Sequence, residues 1–355
     1  MNNPKFNLSK SKLLSQYNTV KELADETSYS FKTNNIVGNI LEESTTCLFS
    51  IHTKEATNKI KDKKRIWFLA QGWTENDIDE LTNKGINHFV VDNTVDLNTL
   101  TTHINKNNRK IHLLLRMNLK ENTIFTGRYF VFGMKQDEIN SKIPILAKNK
   151  NIEKLGIHFH RKTQNINEWS IKEELEEKLT KEVFNCIDII NIGGGLPTKY
   201  KNSNDDTLNY IFSKIKELKQ HLNKKNIKLI IEPGRFLAAP CITLETHIKS
   251  IIGKNIIINA SVYNSSMDTL IAPLKLLVEG ELETGEEYLI KGCTPCSMDI
   301  FRYSVRLKNP KIGDKIIFQN AGAYNFHTTF CSLPKIETDI IHGNARKTQE
   351  HGRSE

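Results

Sequence analysis

The stretch Asp188-Ile-Ile-Asn-Ile-Gly-Gly-Gly195 joins an apolar run rich in β-branched residues to three consecutive glycines. Such a run predicts a buried strand, and the glycines mark where that strand ends. Glycines let backbone N–H groups converge on an anion, but they suit a tight turn equally well. Three other motifs also close a β-rich run with chemically active side chains: Tyr29-Ser-Phe-Lys32, Gly156-Ile-His-Phe-His160 and Glu232-Pro-Gly-Arg235.

Strand-like runs recur along the first two thirds of the chain at intervals about the length of a helix. The stretches between them, such as Glu75–Lys84 and Leu208–Leu222, are amphipathic. Strands that alternate with helices pair in parallel, and eight of them close a (β/α)₈ barrel whose chemistry lies at the carboxyl ends of the strands. All four motifs lie at such ends. The predicted strands are Thr27–Lys32, Cys47–Thr53, Arg65–Gln71, Asn87–Asp92, Ile111–Met117, Leu155–His160, Asp188–Gly193 and Lys228–Glu232.

The pattern changes after Arg235, where short β-like runs follow one another with turn residues between them. The predicted fold class is therefore α/β, with a TIM-like (β/α)₈ barrel followed by a mostly antiparallel β-domain. We place the barrel at residues 8–238 and the β-domain at 239–342, with residues 1–10 as a candidate addition to it. Residues 343–355 are polar and are expected to fray. The predicted strands of the β-domain are Ile248–Ile252, Asn255–Ala260, Leu274–Val278, Glu287–Lys291, Lys315–Phe318 and Lys335–Ile341.

The composition limits the classes of function. The 355 residues, 38% of them hydrophobic, suffice for two domains, and no apolar run approaches the roughly 20 residues that span a bilayer. The N-terminus has no apolar signal core and the six cysteines are scattered, so we expect a cytoplasmic protein without a membrane partner. Cys293 and Cys296 form a single CxxC without a second pair, which does not favour a metal site. The net charge of +9 comes without a nucleic-acid motif, so it suits an anionic substrate or cofactor better than a nucleic acid.

The motif residues together suit one kind of ligand. Burial or a nearby cation lowers the pKa of a lysine, which would make the amine of Lys32 nucleophilic. Glu232 suits a protonated ring nitrogen, Arg235 suits a phosphate, and His160 offers a flat imidazole. Taken singly, each has an ordinary structural explanation, such as a lysine that reaches solvent or a local Glu–Arg ion pair. With the glycines, the set predicts a phosphorylated, cationic aromatic aldehyde as ligand, which is pyridoxal 5′-phosphate.

The chain resembles the ornithine/diaminopimelate/arginine decarboxylase family, whose barrel is related to that of alanine racemase. The resemblance runs from about residue 8 to residue 341. It implies that Lys32 holds the cofactor covalently, that His160 stacks on its ring and that Glu232 pairs with the pyridine nitrogen. The cofactor-binding residues that it implies are Lys32, Arg116, His160, Thr163, Gly193, Gly194, Gly195, Glu232, Gly234, Arg235 and Tyr324.

Two further parts of the resemblance lie in the predicted β-domain. Gly313-Asp314, followed by Gly322-Ala-Tyr324, resembles the motif whose tyrosine reaches the phosphate. Gly292-Cys-Thr-Pro-Cys-Ser-Met-Asp299 resembles the segment that carries a cysteine into the other subunit's site. This implies a homodimer with shared active sites, in which Cys296, or else Cys293, returns a proton to the product. The implied catalytic residues are Lys32, His160 and Cys296.

The substrate-facing positions depart from the family's pattern. The family has an acid directly after its cysteine, whereas Cys296 is followed by Ser297. Read without a gap, Cys296 takes the place of the acid, and with a one-residue gap it takes the place of the cysteine. Ornithine enzymes also have an aspartate near Ala272, which is absent here. Asp299 or Asp268 is the alternative source of the missing acid.

Three cations add to the substrate prediction. Arg161, Lys162 and Arg302 suit an acid-bearing distal group on the substrate. We therefore expect a pyridoxal-phosphate-dependent decarboxylase of an ornithine-like amino acid with an acidic or acylated tail, such as a siderophore or polyamine precursor. Ornithine, lysine or diaminopimelate itself is the alternative substrate. An amino-acid racemase is disfavoured by the long β-domain motifs, and a non-catalytic regulator is disfavoured by the intact Lys32 and Glu232.

Overall fold

The computed structural model describes residues 3–119, 132–161, 164, 168–203 and 206–341. These residues form two compact units. The barrel unit contains the described residues of Asn18–Lys199 and Ser203–Phe236. The sheet unit combines the described residues up to Tyr17, Tyr200–Asn202 and the described residues from Leu237 onward. No helix within these described ranges is both long enough and apolar enough to cross a membrane.

The chain opens with strand β1 (Lys5–Ser9) and helix α1 (Lys10–Lys21), and the barrel follows. Its eight parallel strands close on themselves because the first of them pairs with the last, as Glu26 opposite Ile230 shows. This confirms the predicted barrel, and each strand end lies within three residues of its predicted position. The strands are β2 (Glu26–Ser30), β3 (Leu48–Ile51), β4 (Ile66–Leu69), β5 (His88–Val91), β6 (Ile111–Arg116), β7 (Ile152–His158), β8 (Ile189–Asn191) and β9 (Lys228–Ile231).

Polar side chains start the helices that alternate with these strands. Asn34 Oδ1 accepts from the backbone N–H of Ile36 at 3.0 Å, and Thr74 and Asp77 form a reciprocal capping box. The longest helix then buries residues at helical spacing, from Ile211 to Leu222. The helices are α2 (Asn35–Ser44), α3 (Lys54–Thr57), α4 (Glu75–Asn83), α5 (Thr94–Lys106), α6 (Gln136–Leu146), α7 (Ile171–Lys178), α8 (Lys181–Cys186), α9 (Leu208–Asn223) and α10 (Arg235–Ala238).

Alternate residues of the barrel strands fill its interior, as the two-residue period of a strand requires. Gly156 of β7 belongs to this inner face. A Cβ there would lie 2.7 Å from Leu114 Cδ2 and would also collide with the backbone carbonyl of Ile189. The absence of a side chain therefore lets β7 and its neighbours close tightly. The buried residues that pack together here are Trp67, Val90, Leu114, Ile189 and Ile230.

The sheet unit has an eight-stranded mixed sheet in which five of the seven described strand pairings are antiparallel. This confirms the mostly antiparallel β-domain. Strand β14 was not predicted, because the buried Arg302 and a register shift interrupt its alternation. The strands are β1, β10 (Ile242–Ile252), β11 (Asn255–Ile258), β12 (Leu277–Val278), β13 (Glu287–Lys291), β14 (Ile300–Arg306), β15 (Lys315–Gln319) and β16 (Glu337–Ile341), with helices α11 (Val262–Ser265) and α12 (Asp268–Ile271).

Candidate active site

A buried carboxylate, that of Glu232, lies at the rim of the barrel, by which we mean the carboxyl ends of its eight strands. Ser50 Oγ at 2.6 Å and Asn191 Nδ2 at 2.9 Å donate to its Oε1, and His158 Nε2 lies 3.2 Å from its Oε2. Burial by itself raises the pKa of Glu232, but the attraction to His158 and the hydrogen bonds from His158 and Ser50 outweigh it. The pKa is therefore well below its ordinary value, and the carboxylate is ionised at neutral pH.

The donors to Glu232 come from three different strands, so the site exists only when the barrel is closed. Ser50 belongs to β3, Asn191 ends β8 and His158 ends β7. Behind them, Ser28 Oγ of β2 lies 2.8 Å from Ser50 Oγ in a buried hydrogen bond. Neither Ser28 nor Ser50 was predicted from the sequence as part of the site. A serine within a strand carries no sequence signal that would have identified either of them.

Lys32 lies just past β2, in a 3₁₀ turn that covers Phe31–Thr33. Its side chain remains accessible to solvent, yet the protein around it displaces enough water to lower its pKa. The negative charge of Glu232 opposes this shift, and the positive charge of Arg116 adds to it. The structure therefore brings Lys32, Glu232 and Arg116 together at the rim, with the lysine poised to lose its proton more readily than an ordinary lysine.

His160 lies two residues beyond the end of β7 and shares the inward side with His158. The backbone N–H of Gly194 donates to His160 Nδ1 at 3.2 Å, so this nitrogen carries no proton. Burial lowers the pKa of His160 to about 3, with Glu232 opposing and Arg116 reinforcing the shift. At neutral pH the ring is therefore uncharged, with its proton on Nε2.

The three glycines after β8 are only partly free to bind an anion. The N–H of Gly193 donates to Asn191 Oδ1 at 2.9 Å, and the N–H of Gly194 is taken by His160. A Cβ at Gly194 would come within 2.8 Å of the Glu232 carbonyl oxygen, so no side chain fits there. Gly195 follows with φ of 108°, in the region of backbone conformation that favours glycine.

The other predicted cofactor residues of the barrel unit are distributed around the same rim. Arg116 ends β6, and its guanidinium lies 4.8 Å from the centre of the Phe132 ring. Arg235 is buried and begins α10. Gly234 packs against the turn after β2, because a Cβ at this position would collide with Thr33 Oγ1 and come within 3.1 Å of Ser30 Cβ. Thr163 lies outside the described residues.

In the sheet unit, Cys296 has a specific partner. Its Sγ lies 3.1 Å from the hydroxyl of Tyr263, and this hydrogen bond lowers the pKa of the thiol while raising that of Tyr263 to about 12. Burial and the charge of Asp299 raise the pKa of Cys293 instead. Cys296 is therefore the better candidate for a reactive thiol. Tyr324, with φ of 52°, also belongs to this unit, and the roles of both residues stay predictions.

Asp299, one alternative source of the missing acid, is engaged elsewhere. It is fully buried, and it accepts hydrogen bonds from the N–H of Val262 at 2.9 Å and from the N–H and hydroxyl of Thr294 at 3.0 and 2.6 Å. A carboxylate with these three donors holds the turn together. Its use as a substrate-binding acid is therefore not supported.

Two of the three cations invoked for an acidic substrate are already paired. Arg161 is buried against the carboxylate of Glu174, and the buried Arg302 contacts both oxygens of Glu281 at 3.0 and 3.2 Å. These ion pairs do not support a contact of Arg161 or Arg302 with an acidic tail, because a single sequence does not show which carboxylate lies beside a buried arginine. Lys162 lies outside the described residues.

A family-level match agrees with this geometry. Residues 54–239 match the family described as pyridoxal-dependent decarboxylase, pyridoxal binding domain. Among solved structures, the lysine/ornithine decarboxylase of Vibrio vulnificus complexed with putrescine superposes with a TM-score of 0.78 at 20% identity, over 95% of this chain and 94% of that one. At this identity the likeness concerns the fold alone.

Curated relatives cover the chain to different extents. The diaminopimelate decarboxylase of Aquifex aeolicus is 26% identical over 226 residues, which cover 57% of this chain and 53% of that protein. The chain thus spans about half the length of that relative. The 2-[(L-alanin-3-ylcarbamoyl)methyl]-2-hydroxybutanedioate decarboxylase of Staphylococcus aureus is 23% identical over 321 residues, which cover 78% of this chain and 77% of that protein.

Proposed function

The chain belongs to the pyridoxal-dependent decarboxylase family, and on that premise we propose that it removes the α-carboxylate of an amino acid with pyridoxal 5′-phosphate as cofactor. The observation that carries the proposal is the ionised, buried carboxylate of Glu232 at the same rim as Lys32, a lysine of lowered pKa. A charge that deep in a protein is costly unless it is well bonded, and perturbed groups of this kind cluster at functional sites.

The barrel rim has a place for each part of this cofactor. Glu232 matches the ring nitrogen, and the neutral imidazole of His160 can lie flat against the ring. Gly194 packs closely against both of these residues, since a Cβ there would lie 2.8 Å from the Glu232 carbonyl oxygen and 3.2 Å from His160 Cε1. Gly195 and Arg235 are the proposed contacts of the phosphate, the first through its N–H and the second through its guanidinium.

When bound, the cofactor supplies an aromatic ring that accepts the electron pair left by the departing carboxylate. Lys32 would hold the cofactor covalently, and its lowered pKa makes it easier for the amine to lose the proton that this requires. Glu232 stays ionised and so keeps a proton on the ring nitrogen, which makes the ring electron-poor. Cys296 is the proposed proton donor to the product, with Tyr263 holding its Sγ in place.

We further propose a homodimer in which Cys296 serves the site of the other subunit. The proposal rests on the family resemblance of the segment Gly292–Asp299 and on the lowered pKa of the thiol. Protein with Lys32→Ala and protein with Cys296→Ala, each inactive alone, should regain activity when mixed, because one hybrid site keeps both residues. If subunits exchange and activity does not return, the sites are not shared.

For the substrate, we propose an ornithine-like amino acid with an acidic or acylated tail. Neither Ala272 nor Ser297 supplies an acid for a distal ammonium, and Asp299 is engaged in its own turn. The Staphylococcus aureus relative is named for a substrate in which an alanine unit carries a hydroxybutanedioate tail. Because Arg161 and Arg302 are already paired with carboxylates, we expect other residues to contact that tail.

The test is CO₂ release by the pyridoxal-phosphate-loaded protein from free ornithine, lysine and diaminopimelate and from N-acylated or carboxylated ornithine. A buried partner for a distal ammonium contributes roughly 1.5–3 kcal/mol, so its absence should make ornithine about ten- to a hundredfold poorer in kcat/KM than a tailed substrate. Lys32→Ala is the control for background decarboxylation.

The outcomes separate the two levels of the proposal. If free ornithine or lysine is the best substrate, with kcat/KM above about 10⁴ M⁻¹ s⁻¹, the proposed acidic or acylated tail is refuted, but the proposed decarboxylase activity is not. Interconversion of enantiomers without CO₂ would indicate a racemase. If pyridoxal phosphate gives no absorbance band of a lysine-bound aldehyde, the chain is not an enzyme of this kind.

A further inference from the structure

A histidine with no part in the reaction proposed above lies next to Lys32. His52 directly follows β3, which pairs with β2 in parallel with Tyr29 opposite Phe49 and Ser30 opposite Ser50. Lys32 and His52 each come two residues after this last pair, Lys32 in the 3₁₀ turn that follows β2 and His52 directly after β3. The positive charge of Lys32 is also felt at the His52 ring. Paired strands lie about 4.8 Å apart, so the two side chains start from neighbouring points of the rim.

The side chain of His52 is directed into the barrel. Ser50, two residues earlier in β3, points inward because it donates to Glu232, and the charges of Lys32 and Glu232, both at the rim, act on the His52 ring. The ring is anchored there by a hydrogen bond of 3.2 Å between its Nδ1 and the carbonyl oxygen of Leu69, the last residue of β4. Thr53, the next residue, is fixed as the cap of α3. His52 is therefore held at the rim from both sides.

This anchoring decides the tautomer. A carbonyl oxygen only accepts, so Nδ1 carries the proton and Nε2 of a neutral ring is left as an acceptor. Burial, and then the positive charge of Lys32, lower the pKa of His52 to about 4, while Glu232 opposes the shift. At neutral pH the ring is therefore uncharged, and its Nε2 lone pair is available to a donor.

We propose that His52 is a positioning residue for Lys32: its Nε2 accepts a hydrogen bond from the Lys32 amine and directs that amine toward the aldehyde of the cofactor. The inference rests on the proposed use of pyridoxal phosphate. No covalent bond is formed or broken by His52. As an uncharged acceptor, it orients the amine while adding no second negative charge to that of Glu232.

The test is capture of pyridoxal phosphate by the cofactor-free full chain, followed by absorbance from pH 6 to 10, with borohydride reduction and peptide mapping to identify the lysine. His52→Phe keeps an aromatic ring but removes the acceptor, and His52→Gln keeps an acceptor at similar reach. His52→Phe should slow capture about tenfold at its high-pH plateau. It should also lower the midpoint of the rate–pH profile by about one unit, because an acceptor stabilises the charged amine.

The matched variants make the result decisive. His52→Gln should stay within about threefold of the parent chain in plateau rate and keep the midpoint, and His221→Phe, on α9, should change neither. If His52→Phe captures the cofactor with the parent's plateau and midpoint, the inference is overturned. If His52→Gln is as impaired as His52→Phe in both quantities, the shape of the ring matters and the hydrogen bond does not, which also overturns it. Absence of capture by the parent chain itself would instead refute the proposed function.

Discussion

Both ends of the barrel carry clustered histidines, but the two clusters have different neighbours. At the rim, His158 lies 3.2 Å from the carboxylate of Glu232, and His160 accepts a backbone hydrogen bond beside it. At the opposite end, where the strands begin, His88 of β5 and His112 of β6 meet edge to face with ring centres 4.3 Å apart. We call this second cluster the floor of the barrel.

The floor consists of aromatic rings in contact with one another. The ring of Trp67 lies 4.7 Å from that of His88, and His112 Nε2 is 3.6 Å from a carboxylate oxygen of Glu153. Burial lowers the pKa of His88 to about 4 and also lowers that of His112. These uncharged rings pack against one another at the amino ends of the strands, as ordinary aromatic side chains would.

The comparison shows that a lowered histidine pKa does not identify an active site. Burial produces it at both ends. The rim differs because two further groups lie beside its histidines. They are the ionised carboxylate of Glu232, which has three hydrogen-bond partners, and Lys32, whose pKa is lowered. In barrels of this kind the carboxyl ends of the strands carry the chemistry and the amino ends carry stability.

The largest effect expected from this comparison concerns Lys32. Lys32→Ala should abolish covalent capture of pyridoxal phosphate and lower decarboxylation by several orders of magnitude, since the covalent anchor of the cofactor is lost. The floor variant His112→Phe should keep both. Borohydride reduction with peptide mapping checks the anchor directly. A label on another lysine of the parent chain would remove Lys32, and with it the stated difference between the two ends.

Glu232→Gln should follow in size. The amide keeps the shape but loses the charge, so the proton on the ring nitrogen is no longer held, and kcat should fall by about 10²–10³-fold. His88→Phe, which changes a floor residue, should leave kcat within about threefold. The measurement is steady-state CO₂ release at saturating cofactor. A Glu232→Gln protein with the parent's kcat would mean that the buried charge serves the fold alone.

The fold followed from the sequence where alternation was regular. Most of the barrel strands are apolar runs at helix-length spacing, and all eight formed near their predicted places. Strand β14 escaped prediction because Arg302 occupies a buried position in it and is neutralised by Glu281. A pattern of residue types does not show that pairing, which depends on a contact between segments brought together only by folding.

The site could likewise be predicted only where a sequence pattern marks it, and not where it depends on contacts that folding creates. Lys32, Glu232 and His160 could be assigned to one rim because the ends of parallel strands meet there. Ser50 could not, although it donates to Glu232, because the two residues are 182 positions apart and a serine within a strand has no signal of its own. The sequence also could not show that His160 would occupy the N–H of Gly194.

A smaller effect is expected from Ser50. Ser50→Ala removes the 2.6 Å donor to Glu232 but leaves Asn191 and His158 in place. A hydrogen bond to a charged group is worth roughly 1.5–3 kcal/mol, and partial compensation by the remaining donors should limit the loss in kcat to about tenfold. Ser28→Ala, one contact further from the carboxylate, should lose less. If Ser28→Ala is the more damaging of the two, the order of contacts inferred at the rim is wrong.

The last prediction concerns stability rather than activity, and here the two ends should behave alike. His88 at the floor and His52 and His160 at the rim have pKa values of about 4, 4 and 3 in the folded chain. An unfolded histidine takes up its proton near pH 6.5, so between pH 6.5 and about 4.5 the unfolded state binds more protons than the folded state. The free energy of unfolding should therefore be fully present above pH 6.5 and fall as the pH is lowered, by at most about 1.4 kcal/mol per pH unit for each histidine.

Urea unfolding of the cofactor-free chain from pH 7.5 to 4.5 measures the slope of this free energy against pH. His88→Phe should reduce that slope by the contribution of one histidine without changing the capture of pyridoxal phosphate. His52→Phe should reduce the slope by the same amount and also slow capture. Equal capture by the two variants would erase the functional difference between rim and floor, and a stability that is constant or rises toward pH 5 would contradict the lowered pKa values themselves.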